Sequence, residues 1–286
     1  TGTIHILSVS GMHVAIVCAV ITFLLSPLRF VRRTRLLRIW ISLACIWLFA
    51  VCCGLGPAVL RATLMFSLYL LSLSLRRDLI GLNSLAGSAL ILLCINPLML
   101  LDMGFQLSYL AVFGIMTIMP ILQRMYYSYK FGLRQTLDLF YMSIAAQVST
   151  TSLALFYFHQ FPTYFLLGNF IMAIPSSIIM IGGIILMLCP FDVVNELVGI
   201  ILQKTLAYSY IALQQVEALP FSSIQGIYWS WQEMVLIHII LLGLLIAFRF
   251  KEKRLLCVSV LSLFLFIAYE FRKEVVLKSY EGLRFY

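Results

Sequence analysis

The stretch His5-Ile-Leu-Ser-Val-Ser-Gly-Met-His13 opens a segment that continues as apolar residues to Leu25. A run of about 20 apolar residues is long enough to cross the hydrocarbon core of a bilayer as a helix. Within such a helix, each polar side chain costs free energy unless it faces a partner, a cavity or water. We therefore expect function to lie at the polar residues inside the apolar segments.

The composition assigns the whole chain to the same class. Its 286 residues are 63% hydrophobic and 11% charged, with a mean hydropathy of +1.04, whereas ordinary globular chains carry roughly 25% charged residues. The chain is predicted to be all-α, a polytopic transmembrane helix bundle without a sizeable soluble domain. Because it begins at Thr1 with no charged segment before the first apolar run, we expect an internal portion of a larger protein.

About ten apolar segments can be drawn, and all are predicted to be helices because an open strand edge cannot lie in lipid. The segments are 5–28, 39–53, 56–75, 79–95, 103–120, 136–158, 164–188, 193–218, 234–248 and 255–269. The eighth carries many polar residues, so it is predicted to cross the membrane, to lie in the interface or to line a wet cavity. Residues 1–269 form the predicted membrane domain, and 270–286 are predicted to start an extracytoplasmic linker.

Basic residues concentrate in alternate loops, which predicts an orientation. The loops after the first, third, fifth and ninth segments contain Arg29, Arg32, Arg33, Arg35, Arg38, Arg76, Arg77, Arg124, Lys130, Arg134, Arg249, Lys251, Lys253 and Arg254. The opposite loops contain none. Cytoplasmic loops of membrane proteins carry such an excess of Lys and Arg. This bias predicts that these loops lie in the cytoplasm and that both chain ends lie outside.

Ser10 and His13 lie three residues apart, so on a helix they share a face. A serine beside a histidine is compatible with nucleophilic catalysis, but no acidic residue nearby would orient the histidine. A polar lining of a pore and hydrogen bonding between helices are the alternatives, and we favour the lining. Gly11, between the two, is predicted to interrupt the helix.

Gly54-Leu-Gly56-Pro57 is predicted to form a tight turn or a helix break before the third segment. Arg61 then follows about one turn inside the membrane. Three interpretations are open: the side chain extends to the outer interface, it contacts an anion in a water-filled path, or it pairs with Asp102.

Asp102 and Gln106 recur at helical spacing at the start of the fifth segment and form a polar stripe that enters from the outer side. Capping of the helix by Asp102 is the alternative to a place in the path. Gln147 lies in a span that is rich in hydroxyl side chains. Asn169 precedes Pro175, which is predicted to break or kink its helix.

Known catalytic motifs are missing from the sequence. We find no phosphate-binding loop, no dinucleotide motif, no HExxH and no carboxylate pair with acid–base spacing. The seven cysteines lie within or at the ends of apolar runs without metal-ligand spacing. We therefore predict no enzyme activity, no cofactor and no metal site.

In their order along the chain, the polar motifs resemble the competence domain of the ComEC family over about residues 1–250. The stretches that carry the resemblance are His5–His13, Gly54–Met65, Asn96–Ser108, Ala145–Gln147 and Asn169–Pro175. The resemblance implies an inner-membrane channel that carries single-stranded DNA into the cytoplasm during natural transformation. Members of the family usually also have an OB-like domain and a metallo-β-lactamase-like domain thought to be the nuclease, and this chain shows the signature of neither.

Under this hypothesis, Arg61 contacts DNA phosphates on the outer side, while Ser10, His13, Asp102, Gln106, Gln147 and Asn169 line the path. Its implied partners are single-stranded DNA, membrane lipids, a DNA receptor outside, ATP-driven or DNA-binding proteins in the cytoplasm, and further copies of the chain. A transporter of small solutes or lipid-linked molecules is the alternative function, and a scaffold that conducts nothing is a third.

Overall fold

The computed structural model describes residues 11–26, 35–75, 81–126 and 131–282, and in these ranges it contains ten α-helices. The helices are α1 Gly11–Leu24, α2 Arg35–Cys52, α3 Pro57–Leu75, α4 Gly81–Ile95, α5 Met103–Tyr126, α6 Phe131–Phe158, α7 Phe165–Leu188, α8 Asp192–Glu217, α9 Trp231–Phe250 and α10 Lys253–Gly282. A 3-10 helix, Pro97–Leu101, precedes α5. The predicted all-α bundle of about ten helices is confirmed.

Six of these helices, α3, α5, α6, α7, α9 and α10, are long and apolar enough to cross a membrane, and shorter apolar helices cover most of α1, α2 and α4. The protein is accordingly a multi-pass membrane protein. Within the described residues, α8 belongs to neither group. Its polar side chains, among them Asn195 and Lys204, already separated this segment from the others in the sequence.

Two short strands add a feature that the sequence did not predict. β1 (Gln160–Pro162) follows α6, β2 (Ser223–Gln225) follows α8, and the two pair antiparallel. Such pairing satisfies backbone groups in the loops, outside the helices. The pairing also holds together the two ends of the α7–α8 hairpin. The two helices have similar lengths, 24 and 26 residues, and α8 packs against α7.

The predicted breaks differ in outcome. At Gly54–Pro57 the chain turns: Gly54 and Leu55 have φ values of +77° and +54°, and Pro57 is the first residue of α3. Of the two predictions at Pro175, the break is wrong because α7 continues through this residue, and the kink stays a prediction. Proline removes one backbone donor, but membrane helices tolerate this where nearby groups satisfy the backbone. The hydroxyls of Ser176 and Ser177 both donate to the carbonyl of Ala173, whereas the carbonyl that loses its donor is that of Ile171, four residues before the proline.

The described part of α1 begins at Gly11, while Ser10 lies outside the described residues. At the other end of the chain, the segment predicted to start a linker is helical as far as Gly282. Helix α3 lies at the centre of the first half and packs against α1, α2, α4 and α5. Helix α5 then connects this half to α6 and α9.

Candidate functional site

Arg61 lies in the interior of the bundle, on the second turn of α3, with 7% of its surface exposed. Its Nη1 donates to the carbonyl oxygen of Ser108 on α5 at 3.0 Å. The guanidinium carbon lies 6.0 Å from the centre of the Tyr109 ring, within the range of a cation–π contact. Its Nε is buried and has no hydrogen-bond partner among the described residues.

Neighbouring helices fix the surroundings of this guanidinium. A Cβ atom added to Gly11 would lie 2.9 Å from Nη2 of Arg61, so a larger residue here would require the guanidinium to shift. On the opposite side, the hydroxyl of Tyr109 donates to Oγ of Ser88 at 3.0 Å. Ser88 in turn donates to the carbonyl of Leu85 at 2.8 Å. Four helices, α1, α3, α4 and α5, therefore build the Arg61 site.

The predicted pair between Arg61 and Asp102 is wrong. An ion pair joins Lys273 to Glu233, and no contact between Arg61 and Asp102 is found among the described residues. Oδ1 of Asp102 instead accepts from the backbone N–H of Phe105 at 2.7 Å, which caps the start of α5. The first four N–H groups of a helix have no partner within the helix, and the Asp102 carboxylate accepts from one of them. Because Arg61 is buried, its side chain also does not extend to the surface.

Both the nitrogen and the oxygen of the Gln106 side-chain amide form hydrogen bonds within the protein. Its Nε2 donates to the carbonyl of Leu100 at 2.7 Å, and its Oε1 accepts from the hydroxyl of Tyr157 at 3.0 Å. The residue therefore connects the 3-10 helix, α5 and α6. Its side chain is partly buried, and these contacts give it a structural role at the mouth of the bundle.

The other predicted path residues lie on helices that are neighbours. His13, Gln147 and Asn169 are partly buried on α1, α6 and α7, and α7 packs against both α1 and α6. Within the described ranges, no hydrogen bond of the Gln147 or Asn169 amide to another residue is found. Their place in a common path remains a prediction.

Comparison with known proteins assigns the family. The family model described as "Competence protein" matches residues 1–254. This chain belongs to the competence protein family. It is also 29% identical over 180 residues to "ComE operon protein 3" of Bacillus subtilis (strain 168), a match that covers 63% of this chain and 21% of the relative. The matched part is thus about a fifth of the length of that relative. No solved structure matches the chain.

Two polar contacts of this competence-family chain escaped the sequence interpretation. Ser152 on α6 and His238 on α9 form a hydrogen bond of 3.1 Å, and Nδ1 of His238 lies 2.9 Å from the carbonyl oxygen of Met234. A single histidine within an apolar run gave no signal in the sequence. The pair joins α6 to α9, and Ser152 is 2% exposed.

The second contact joins α9 to α10. Nζ of Lys273 lies 2.6 Å from Oε1 of Glu233, while the other carboxyl oxygen of Glu233 accepts from the backbone N–H of Ser230. Ser230 and Glu233 form a complete capping box at the start of α9. A serine followed three residues later by glutamate is the sequence signature of this motif and was available before the structure.

None of the predicted path residues lines either of two cavities found among the described residues. One, of about 420 Å³, lies between α7 and α8. The other, of about 400 Å³, lies among α1, α2 and α3. The described residues also contain no group of three or more His, Cys, Asp or Glu side chains that could hold a metal ion.

Proposed function

We propose that this chain is the membrane domain through which a single strand of DNA enters the cytoplasm during natural transformation. Membership of the competence protein family supports a role in DNA uptake. The similarity to ComE operon protein 3 supports the same role. The observation that carries the proposal furthest is the Arg61 site, a buried cation with unused donors and no acidic partner in the described residues.

The chemistry of the Arg61 site fits a phosphate group. A guanidinium offers five N–H donors in a planar fork, and here the protein is seen to occupy one of them, through the Ser108 carbonyl. Isolated buried charges are costly, so they normally have a partner. A phosphate of a passing strand would supply the missing negative charge and accept two parallel hydrogen bonds. Arg61 is therefore assigned the contact with the DNA backbone.

A site with a single cation is compatible with a DNA strand that moves past it. One cation contributes a limited part of the affinity that a row of phosphate contacts would give, so each phosphate can be released to the next. In the orientation predicted by the basic loops, Arg61 lies near the outer face, where the incoming strand arrives. We assign His13, Gln147 and Asn169 to the neutral lining and assign degradation of the second strand to another domain.

The test replaces Arg61 with methionine in the complete protein and follows labelled DNA in competent cells. Arg61→Met keeps most of the side-chain volume and removes the charge. We expect DNA bound at the surface to stay sensitive to added nuclease, with at least a hundredfold fewer transformants, a loss of about 2.7 kcal/mol of interaction.

Arg254→Gln is the matched control, because it removes an exposed basic residue at the start of α10. It should transform at nearly the normal frequency. Both variants must be present in the membrane at the wild-type amount, measured by immunoblot. Normal uptake by Arg61→Met at normal abundance would contradict the proposal and favour a transporter of small solutes.

A further inference from the structure

The cavity among α1, α2 and α3 has the features of a ligand site. Its volume of about 400 Å³ falls in the usual range for small-molecule sites, roughly 300–1,000 Å³. Polar groups lie at one end: Arg38 and Ser42 on α2, with Thr22 and Ser26 at the end of α1. Apolar residues such as Leu70 on α3 line the remainder.

Ser42 is the strongest sign that the cavity takes a ligand. It is 1% exposed, and its Oγ atom has no hydrogen-bond partner among the described residues. A buried hydroxyl without a partner costs about 1–3 kcal/mol, and this one borders the cavity. A ligand with an acceptor or donor at this point would satisfy it.

Arg38 determines the charge of that ligand. It lies four residues before Ser42 on α2, so both side chains are on one face of the helix. No acidic side chain of the described residues pairs with it. These features together select a negatively charged, hydrogen-bonding group such as a phosphate.

The location favours a membrane lipid as the molecule that carries this phosphate, because the basic loops predict that this end of the bundle faces the cytoplasm. The cavity lies at the opposite end of α3 from Arg61, roughly 14 Å along the helix axis as judged from Leu70. It is bordered by α2, which packs chiefly on α1 and α3 at the edge of the bundle. Tyr69 at its rim is 52% exposed, and neighbouring Trp40 is 63% exposed, as expected for aromatic residues at headgroup level.

We propose that this cavity binds an acidic phospholipid of the cytoplasmic leaflet, with its phosphate between Arg38 and Ser42 and an acyl chain along the apolar wall. Basic pockets between membrane helices on the cytoplasmic side recognise acidic headgroups in this way. The bound lipid links α1, α2 and α3 at the end of the bundle away from the Arg61 site. This site is independent of DNA passage.

The experiment measures lipid retention by native mass spectrometry of the complete protein in detergent. Delipidated protein is offered phosphatidylglycerol and phosphatidylcholine with identical acyl chains. We expect wild type to retain phosphatidylglycerol over phosphatidylcholine by about fivefold, the effect of one basic residue at a lipid headgroup. Arg38→Gln should abolish this preference, and Arg254→Gln, which removes an exposed charge on α10, should keep it.

Two further variants separate binding from folding. Arg38→Lys keeps the charge and should retain the preference, even if Arg38→Gln lowers the yield. Ser42→Ala should weaken retention without lowering the unfolding temperature, since it removes an unsatisfied buried hydroxyl. Equal retention of both lipids by wild type, or a preference unaffected by Arg38→Gln and Ser42→Ala, would refute the site.

Competition identifies the source of the phosphate. Inorganic phosphate and a thymidine oligonucleotide are added separately to the loaded protein. Retention of phosphatidylglycerol against both supports the lipid. Displacement by inorganic phosphate would show a small-anion site, and displacement by the oligonucleotide that depends on Arg38 would assign the cavity to DNA. Either displacement overturns the proposal.

Discussion

Two buried charges in this molecule have almost the same exposure and opposite surroundings. Glu233 is 8% exposed and Arg61 is 7% exposed. The Glu233 carboxylate accepts from Lys273 and from the backbone of Ser230, so both of its oxygens are used. The Arg61 guanidinium has a single carbonyl acceptor and a buried Nε without a partner among the described residues.

The two sites differ in whether the protein itself supplies every hydrogen-bond partner of the charged group. A buried charge whose hydrogen bonds are complete within the protein stabilises the contact between two helices, here α9 and α10. A buried charge with unused donors costs free energy, which a passing ligand offsets only while it is bound. The unmet hydrogen bonds of Arg61, rather than its burial, are what set it apart from Glu233.

The largest effect on stability is expected from Lys273→Met. It leaves the carboxylate of Glu233 buried without its cation, and breaking a buried pair in this way is strongly destabilising. Because the Lys273 side chain is 32% exposed, water screens part of the effect, and we expect a loss of about 2 kcal/mol. The measurement is denaturant unfolding of the purified protein in detergent micelles.

Arg61→Met is the corresponding substitution at the other buried charge. It removes a buried cation that has no acidic partner in the described residues, so no orphan charge remains. We expect its free energy of unfolding to equal or exceed that of wild type. Uptake per folded molecule should be normal for Lys273→Met and lost for Arg61→Met. The same stability loss in both variants would show that the two charges do not differ in role.

The next effect in size concerns the contact between Gly11 and Arg61. The added methyl group of Gly11→Ala would lie 2.9 Å from Nη2, so the guanidinium or α1 must move. Overpacking of this kind typically costs 1–3 kcal/mol, and we expect about 1 kcal/mol with a severalfold loss of transformants. Transformation frequency and unfolding are measured on the same variants.

Gly183→Ala is the control for this substitution. Its added Cβ would meet no atom within 4 Å in the middle of α7. Alanine is the better helix former by roughly 0.5–1 kcal/mol, so the control should be neutral or slightly stabilising. Equal behaviour of the two variants would show that close approach of α1 to Arg61 has no importance.

The helices of this protein were predictable because lipid leaves few alternatives. Ten apolar runs became ten helices, since each backbone must satisfy its hydrogen bonds within its own segment. The same reasoning failed at Pro175, where the sequence shows the missing donor but not the neighbours that tolerate it. It also missed β1 and β2, whose pairing links loops about sixty residues apart.

The site was only partly predictable for a related reason. Arg61 stood out as a cation in an apolar run, but its contacts with Ser108 and Tyr109 depend on how α3 meets α5. The sequence likewise could not decide between capping and ion pairing for Asp102, because both are compatible with its position. His238 was missed since its partner Ser152 is 86 residues away.

The smallest effect is expected at Tyr109, which tests what holds the guanidinium. Tyr109→Phe keeps the aromatic ring beneath Arg61 and removes the hydrogen bond to Ser88. Hydrogen bonds between membrane helices average about 0.6 kcal/mol, so unfolding should change little and transformation by less than twofold.

Tyr109→Leu removes the ring as well and should cost more, because a cation–π contact contributes about 0.5–2 kcal/mol. If the two variants lose transformation equally, the hydroxyl network through Ser88 positions Arg61. If only Tyr109→Leu loses transformation, the face of the Tyr109 ring positions Arg61. The guanidinium is then held by a contact that leaves its N–H donors available.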